Sequence, residues 1–171
     1  MSIILIGYRG SGKSTIGKRL ADKLWSKFVD TDQLVAKTAG RTIKEIFESG
    51  GEKHFRDLEV AAVKDALSHA EHVIGLGGGA VTREENRAAV KASGRKVVYL
   101  RCDPKVLHER IQNDPTSATT RPNLTAHGGT IDEITTLIAE REPLYRSLMN
   151  YELDVTNLSP DEAVVYISRQ M

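Results

Sequence analysis

Cysteine is almost missing from this chain. Cys102 is the only one among 171 residues, so no intrachain disulfide can form and a reducing compartment is the simplest expectation. It ends an apolar run, where a small buried thiol is expected rather than a nucleophile. A dominant charge is missing too: 24 Lys and Arg against 23 Asp and Glu leave a net charge of +1. Overall balance therefore implies neither nucleic acid nor a membrane surface as partner. Long hydrophobic runs are absent. Residues 3–6 are apolar, too few for a signal peptide or a membrane span, and Gly7 and charged residues follow at once. The N-terminus reads as the first strand of the fold, and a cytoplasmic location is expected. No internal repeat and no interdomain linker interrupts the sequence.

What is present is ordinary globular composition, 40% hydrophobic and 27% charged, at a length suited to one domain spanning 1–171. Its charge is unevenly spread. Residues 1–29 hold six Lys and Arg against one acid, net +5, while the remainder holds eighteen against twenty-two, net −4. A basic N-terminal segment suits a phosphorylated ligand, and equally a solvated helix face.

Short apolar runs alternate with helical patterns. Ile3–Ile6, Phe28–Val29, Val73–Leu76, Lys96–Leu100 and Leu153–Val155 read as strands, short and apolar enough to be buried on both faces. Between them lie helical stripes: Ile16, Leu20 and Leu24; Phe55, Leu58, Ala62 and Ala66; Ile131, Ile134, Ile138 and Tyr145. Trp25 reads as the end of the first stripe, in the core. The last helix has Ser159 as N-cap, Pro160 at its first position and Glu162 completing a capping box. Strands alternating with helices predict an α/β fold with a parallel sheet of five strands and right-handed crossovers. Residues 32–66 carry two helical patterns and no strand, which suggests an insertion beside the sheet. Residues 112–129 are polar and loop-like, and so long a loop in a small domain suggests a lid or a disordered segment.

Gly7-Tyr8-Arg9-Gly10-Ser11-Gly12-Lys13-Ser14 matches the phosphate-binding loop pattern G-x-x-x-x-G-K-[ST] in full, with an apolar strand before it and an amphipathic helix after it. Glycines let successive backbone N–H groups turn toward phosphate oxygens, and the helix N-terminus adds partial positive charge. Lys13 can reach β- and γ-phosphates, and the Ser14 hydroxyl can ligate Mg²⁺. Gly10, Ser11, Gly12, Lys13, Ser14 and Thr15 form the expected ATP-binding set. The loop alone leaves kinase, ATPase, GTPase and motor open. With no Asn-Lys-x-Asp guanine motif and little room for an effector domain, a small-metabolite kinase is the best fit.

Further motifs follow in order: Asp30-Thr31-Asp32, Phe55-Arg56-x-x-Glu59, Gly77-Gly78-Gly79, Arg121-Pro122 and Arg141-x-Pro143-Leu144-Tyr145. Behind a complete phosphate loop, this set resembles the shikimate kinase family over nearly the whole chain. The resemblance implies a three-layer P-loop kinase fold with core segments 1–31, 67–111 and 125–171, a helical substrate-binding insertion at 32–66 and a lid at 112–124. It also implies transfer of the ATP γ-phosphoryl to the 3-hydroxyl of shikimate with Mg²⁺, by a monomer.

The residues themselves agree with a small hydroxylated acid as acceptor. Arg56 and Arg141, from different helices, can grip one carboxylate. Asp32 stands at a strand's C-terminal end, where α/β folds bind ligands, and Gly77–Gly79 let backbone approach a substrate without interference from Cβ. Carried over from the family, Asp32 binds shikimate hydroxyls and is the candidate base, and Asp30 lies near Mg²⁺ through water. Arg56, Gly77, Gly78, Gly79 and Arg141 hold the acid, and Glu59 orients Arg56. Arg121 is the lid arginine acting with Lys13. Arg110 and the Asn157–Pro160 turn match segments that contact adenine.

Read singly, Asp30 and Asp32 are ordinary turn or helix-capping residues, and Arg56 and Arg141 are solvated or in surface salt bridges. The five histidines show no ligand spacing and read as surface or structural, and Tyr145 as packing beneath Arg141. Two residues depart from the family pattern: Leu76 before the glycines and Asn123 after Arg121-Pro122, for which altered packing of the third strand and of the lid is expected. Rival readings are a gluconate or nucleoside monophosphate kinase, and a non-catalytic ATP-binding module.

Overall fold

The run Ile3–Ile6 has no polar alternation, so it needs apolar cover on both faces and a strand on either side. It has both. The computed structural model describes residues 2–70, 72–114 and 129–170. In it β1 (Ile3–Ile6) lies between β3 (His72–Gly75) and β4 (Lys96–Arg101), with β2 (Lys27–Asp30) and β5 (Tyr151–Asp154) at the edges. The order is β2-β3-β1-β4-β5, every pair parallel, with Ile3 in register with Val73 and Lys96. β5 starts two residues earlier than the apolar signal suggests, because its first residues, Tyr151 and Glu152, pair with Val98 and Tyr99.

Helices cover both faces. Ile3 and Leu5 point to one cluster, with Ile16 and Leu20 from α1 (Lys13–Lys23), Leu107 from α5 (Pro104–Gln112) and Ala163 and Ile167 from α7 (Pro160–Arg169). Ile4 and Ile6 point to the other, with Val63 and Ala66 from α3 (Ile43–Ser68), Val90 from α4 (Glu84–Ala92) and Tyr145 and Leu148 from α6 (Ile131–Leu148). This alternation along one strand makes the three layers of a P-loop kinase fold. A smaller cluster of Val35, Ile43, Ile46, Phe55 and Ala62 joins α2 (Thr31–Ala39) to α3 beside the sheet. α3 is two helical segments broken at Gly51, whose φ of 72° and ψ of −176° are not helical. Ser159 caps α7 with the expected Glu162 capping box, and Thr42 with Glu45 does the same for α3.

Three expectations need correction. β2 and β5 are only partly buried, because an edge strand has a neighbour on one side and its outer flank meets solvent. Ile131 is 39% exposed, since the buried stripe of α6 begins a turn later at Ile134. Trp25 is not in the core; it is 98% exposed. The apolar stripe of α1 ends at Leu24, and Trp25 adopts a left-handed φ of 53° while Ser26 N–H donates to Ala21 O at 2.9 Å. That helix-terminating turn swings the indole off the buried face.

The parallel strands bring the loops after β1, β2, β3 and β5 to one edge of the sheet, where ligands bind in such folds. Cys102 is buried. Among the described residues no helix is long and apolar enough to cross a membrane.

Candidate active site

The phosphate loop joins β1 to α1. Gly12, the residue before the helix, has a φ of 93° and makes no side-chain cap hydrogen bond, so the side chain at this position does not compete with a ligand for the helix N-terminus. Lys13 folds back over the loop, its Nζ donating to Gly7 O at 2.7 Å and Tyr8 O at 2.9 Å. Ser14 Oγ donates to Asp30 Oδ2 at 2.6 Å, while Asp30 Oδ1 accepts from Asp32 N at 3.0 Å. Asp30 therefore caps α2 with one oxygen and meets the phosphate loop with the other. Ser14 Oγ and Asp30 Oδ2 are hard oxygen donors, the kind that suits Mg²⁺ when phosphate and water complete its shell.

A cleft of about 760 Å³ opens from this loop. Its walls include Asp30, Asp32, Leu76 and Arg110, and beyond β5 the residues Val155, Leu158 and Pro160. Arg110 links the two sides, donating to Gly10 O at 3.4 Å and Val155 O at 3.2 Å. Asn157 is exposed and is not among the wall residues; its neighbour Leu158 is.

Behind Asp32 the charged residues close on one another. Arg56, Asp32 and Arg141 are all buried. Arg56 Nη1 donates to both oxygens of Glu59, at 3.0 and 2.8 Å, as the spacing of one helical turn suggests. Glu59 is 1% exposed. Burial pushes its carboxyl up to about 7, against the pull of Arg56 and with a further push from Asp32; Arg141 pulls it down. Arg56 Nε is buried with no hydrogen-bond partner among the described residues, so it is available to a ligand oxygen or a water.

The glycine triplet makes room for this cluster. A Cβ on Gly77 would stand 2.3 Å from Asp32 Oδ1 and 2.8 Å from Glu59 Oε1, and one on Gly79 would stand 2.4 Å from Arg56 Nη2. On Gly78 it would press on the phosphate loop, 3.1 Å from Arg9 N. Thr31, fully buried, accepts from Gly77 N at 2.9 Å and pins the triplet to the end of β2. Tyr145 donates to Gly78 O at 2.6 Å and stacks on Tyr99, ring centroids 4.9 Å apart. Burial pushes its phenol well up, while the charge of Arg141 opposes that.

The comparisons with known proteins agree with one another. A family model described as shikimate kinase matches residues 9–171. The chain belongs to the shikimate kinase family. A shikimate kinase of Rhodopirellula baltica is 41% identical over 165 residues, covering 96% of this chain and 87% of the relative. Shikimate kinase 2 of Yersinia pestis is 42% identical over 155 residues, covering 91% and 87%. Among solved structures, the Acinetobacter baumannii shikimate kinase in complex with shikimate superposes with a TM-score of 0.91 at 30% identity, over 99% of this chain and 91% of that one. The Aquifex aeolicus shikimate kinase gives 0.81 at 34%, over 99% and 95%.

Of the residues that the family pattern singled out, the structure gathers Lys13, Ser14, Asp30, Asp32 and Arg110 on the cleft. It gathers Arg56, Glu59 and Gly77–Gly79 behind Asp32. Arg121, Pro122, Asn123, Leu124 and His127 lie outside the described residues, as does most of the expected lid. Leu76, where shikimate kinases often have a small polar residue, is buried in the sheet cluster and donates its N–H to Leu5 O at 3.0 Å. Thr31 and the hydroxyl of Tyr145 were not singled out from sequence, although both lie inside quoted motifs. Neither pattern says which backbone group such a side chain will meet.

Proposed function

We propose that this chain transfers the γ-phosphoryl of ATP to the 3-hydroxyl of shikimate, giving shikimate 3-phosphate and ADP. The observation that carries the acceptor half is the buried guanidinium of Arg56, with Nε unpartnered among the described residues, beside Asp32 and the glycine triplet. A ring acid bearing hydroxyls supplies a carboxylate for Arg56 and Arg141 and hydroxyls for Asp32. A neutral sugar leaves both arginines idle.

On this reading the phosphate loop N–H groups of 10–15 and Lys13 hold the phosphates. Lys13 exchanges two backbone carbonyls for phosphate oxygens, a stronger charge-assisted interaction. Asp32 orients the attacking hydroxyl and accepts its proton as the bond to phosphorus forms. Arg110 and the Val155–Pro160 segment, Asn157 included, flank the nucleoside. Ser14 and, through water, Asp30 would hold Mg²⁺, which when bound neutralises charge on the transferring phosphates. Catalysis then consists mainly of positioning and charge neutralisation. Arg121 and the 112–124 lid enter on the family pattern alone, with Arg121 adding positive charge at the transferring group and the lid excluding water. Residues 32–66 form the substrate-binding insertion. The monomer enters on the family pattern alone, and a lone buried cysteine fits a reducing cytoplasm.

The test is a coupled ADP-release assay with shikimate, gluconate and nucleoside monophosphates in parallel, with and without Mg²⁺. Release is expected with shikimate and Mg²⁺ only. Release with gluconate or a monophosphate but not shikimate overturns the acceptor assignment, and tight ATP binding with no turnover on any of them favours a non-catalytic module. Arg121→Ala is expected to lower kcat far more than it weakens ATP binding.

A further inference from the structure

The loop pattern leaves the residue after its first glycine unspecified. Here it is Tyr8, and the environment of Tyr8 is more constrained than a loop position requires. Its side chain is buried at 7% exposure and packs in the cluster that also holds Leu107 of α5 and Ile134 of α6. The Cζ of Arg141 lies 5.5 Å from the centroid of its ring, within the range of a cation–π contact. Arg141 is itself 7% exposed, so water screens the attraction little. The backbone of the same residue faces the other way: Tyr8 O accepts from Lys13 Nζ at 2.9 Å and from Ser11 N at 3.2 Å.

One residue thus touches the cation assigned to the nucleotide phosphates and the cation assigned to the acceptor's carboxylate. α6 also meets the loop after β3, which borders the phosphate loop. Tyr145, one helical turn after Arg141, bonds to Gly78 O, and Gly78 abuts the backbone of Arg9 and Gly7. Resting on the functional reading above, we propose that Tyr8 is a positioning residue: its ring holds Arg141 in place for the acceptor's carboxylate, and its carbonyl makes that placement sensitive to whether phosphate has drawn Lys13 away. Ligand at one half then biases the other through a shared residue, since coupling requires that the two ligands prefer the same arrangement of it.

Tyr8→Leu keeps apolar bulk and removes the π-face; Tyr8→Phe keeps the face and removes the hydroxyl. Shikimate binding to the full chain is measured by titration calorimetry, with and without saturating ADP. Tyr8→Leu is expected to weaken shikimate binding about fivefold, the scale of a partly desolvated cation–π contact. It is also expected to bring the ratio of affinities with and without ADP close to one, with ADP binding alone nearly unchanged. Tyr8→Phe should behave as the wild type. In an Arg141→Lys background, Tyr8→Leu should add little, because its effect runs through the guanidinium. Wild-type affinity and ADP ratio in Tyr8→Leu overturn the proposal, as does a loss in Tyr8→Phe equal to that in Tyr8→Leu. If circular dichroism shows Tyr8→Leu unfolded, Tyr8→Met takes its place under the same criteria. A wild-type chain that binds no shikimate refutes the functional reading itself, whereas one that binds shikimate regardless of the side chain at 8 refutes only this inference.

Discussion

Gly79→Ala separates the two halves of the site with a single methyl group. The new Cβ would stand 2.4 Å from Arg56 Nη2, 2.7 Å from Nη1 and 2.8 Å from Cζ. Restoring an ordinary contact requires the guanidinium to retreat by about 1 Å. The bonds from Arg56 Nη1 to Glu59, now 2.8 and 3.0 Å, would stretch beyond hydrogen-bonding range or rotate away. The clash falls on the end of a flexible side chain, so the fold adapts and the substrate site takes the cost. A displaced charge-assisted bond is worth ~1.5–3 kcal/mol, which converts to a rise of about tenfold to a hundredfold in the KM for shikimate. The KM for ATP should stay within about twofold, because Gly79 touches no phosphate-loop atom within 4 Å among its three nearest neighbours. Coupled ADP release, varying each substrate at saturation of the other, reads both numbers. A KM for shikimate within about twofold of wild type would refute the placement of Arg56 as the acid-binding group.

Thr31→Val keeps the shape of a buried side chain and leaves Gly77 N–H without its acceptor. A loss of ~1–3 kcal/mol in urea unfolding is expected, with Thr31→Ser recovering most of it. Trp25→Gly removes a side chain that is 98% exposed from a left-handed position. The glycine relieves ~1–2 kcal/mol of backbone strain against ~0.5–1 kcal/mol of added chain entropy, so Tm should rise by a few degrees; a fall would show that the indole packs on something. The raised carboxyl of Glu59, about 7 in the fold against an ordinary 4.5, gives a pH signature. Its contribution to stability is full below about pH 4.5 and is lost as pH rises through about 7, by ~3 kcal/mol at most. Thermal unfolding from pH 5 to 8 should therefore fall more steeply in wild type than in Glu59→Gln, and parallel profiles would show that Glu59 does not titrate in that window.

The parts of this molecule legible in sequence are those fixed by neighbours in the chain. Ile3–Ile6 declares a central strand by its own composition, Gly7–Ser14 declares a phosphate site by its own spacing, and Ser159 with Glu162 declares a helix start. The errors have two sources, one local and one not. At Trp25 the chain turns left-handed one residue past an apolar stripe, and no periodicity reports a single φ. At β2 and β5 the apolar signal says strand but not edge, because edge position depends on the order of the whole sheet.

The acceptor site is a harder case. Arg56 and Arg141 look like solvated charges in sequence, and only the crossing of α3, α6 and the loop after β3 buries them. The three glycines mark a place where a side chain is forbidden, yet each is forbidden by something different: the carboxylates of Asp32 and Glu59 at Gly77, phosphate-loop backbone at Gly78, and the guanidinium of Arg56 at Gly79. One run of backbone thus borders the groups proposed to hold nucleotide, the group proposed to take the proton and the group proposed to hold the acid. Substitutions at 77, 78 and 79 should therefore differ in kind, with Gly77→Ala acting on kcat through Asp32, Gly78→Ala on both substrates and Gly79→Ala on the KM for shikimate alone. A uniform loss across all three would mean that the triplet only fills space.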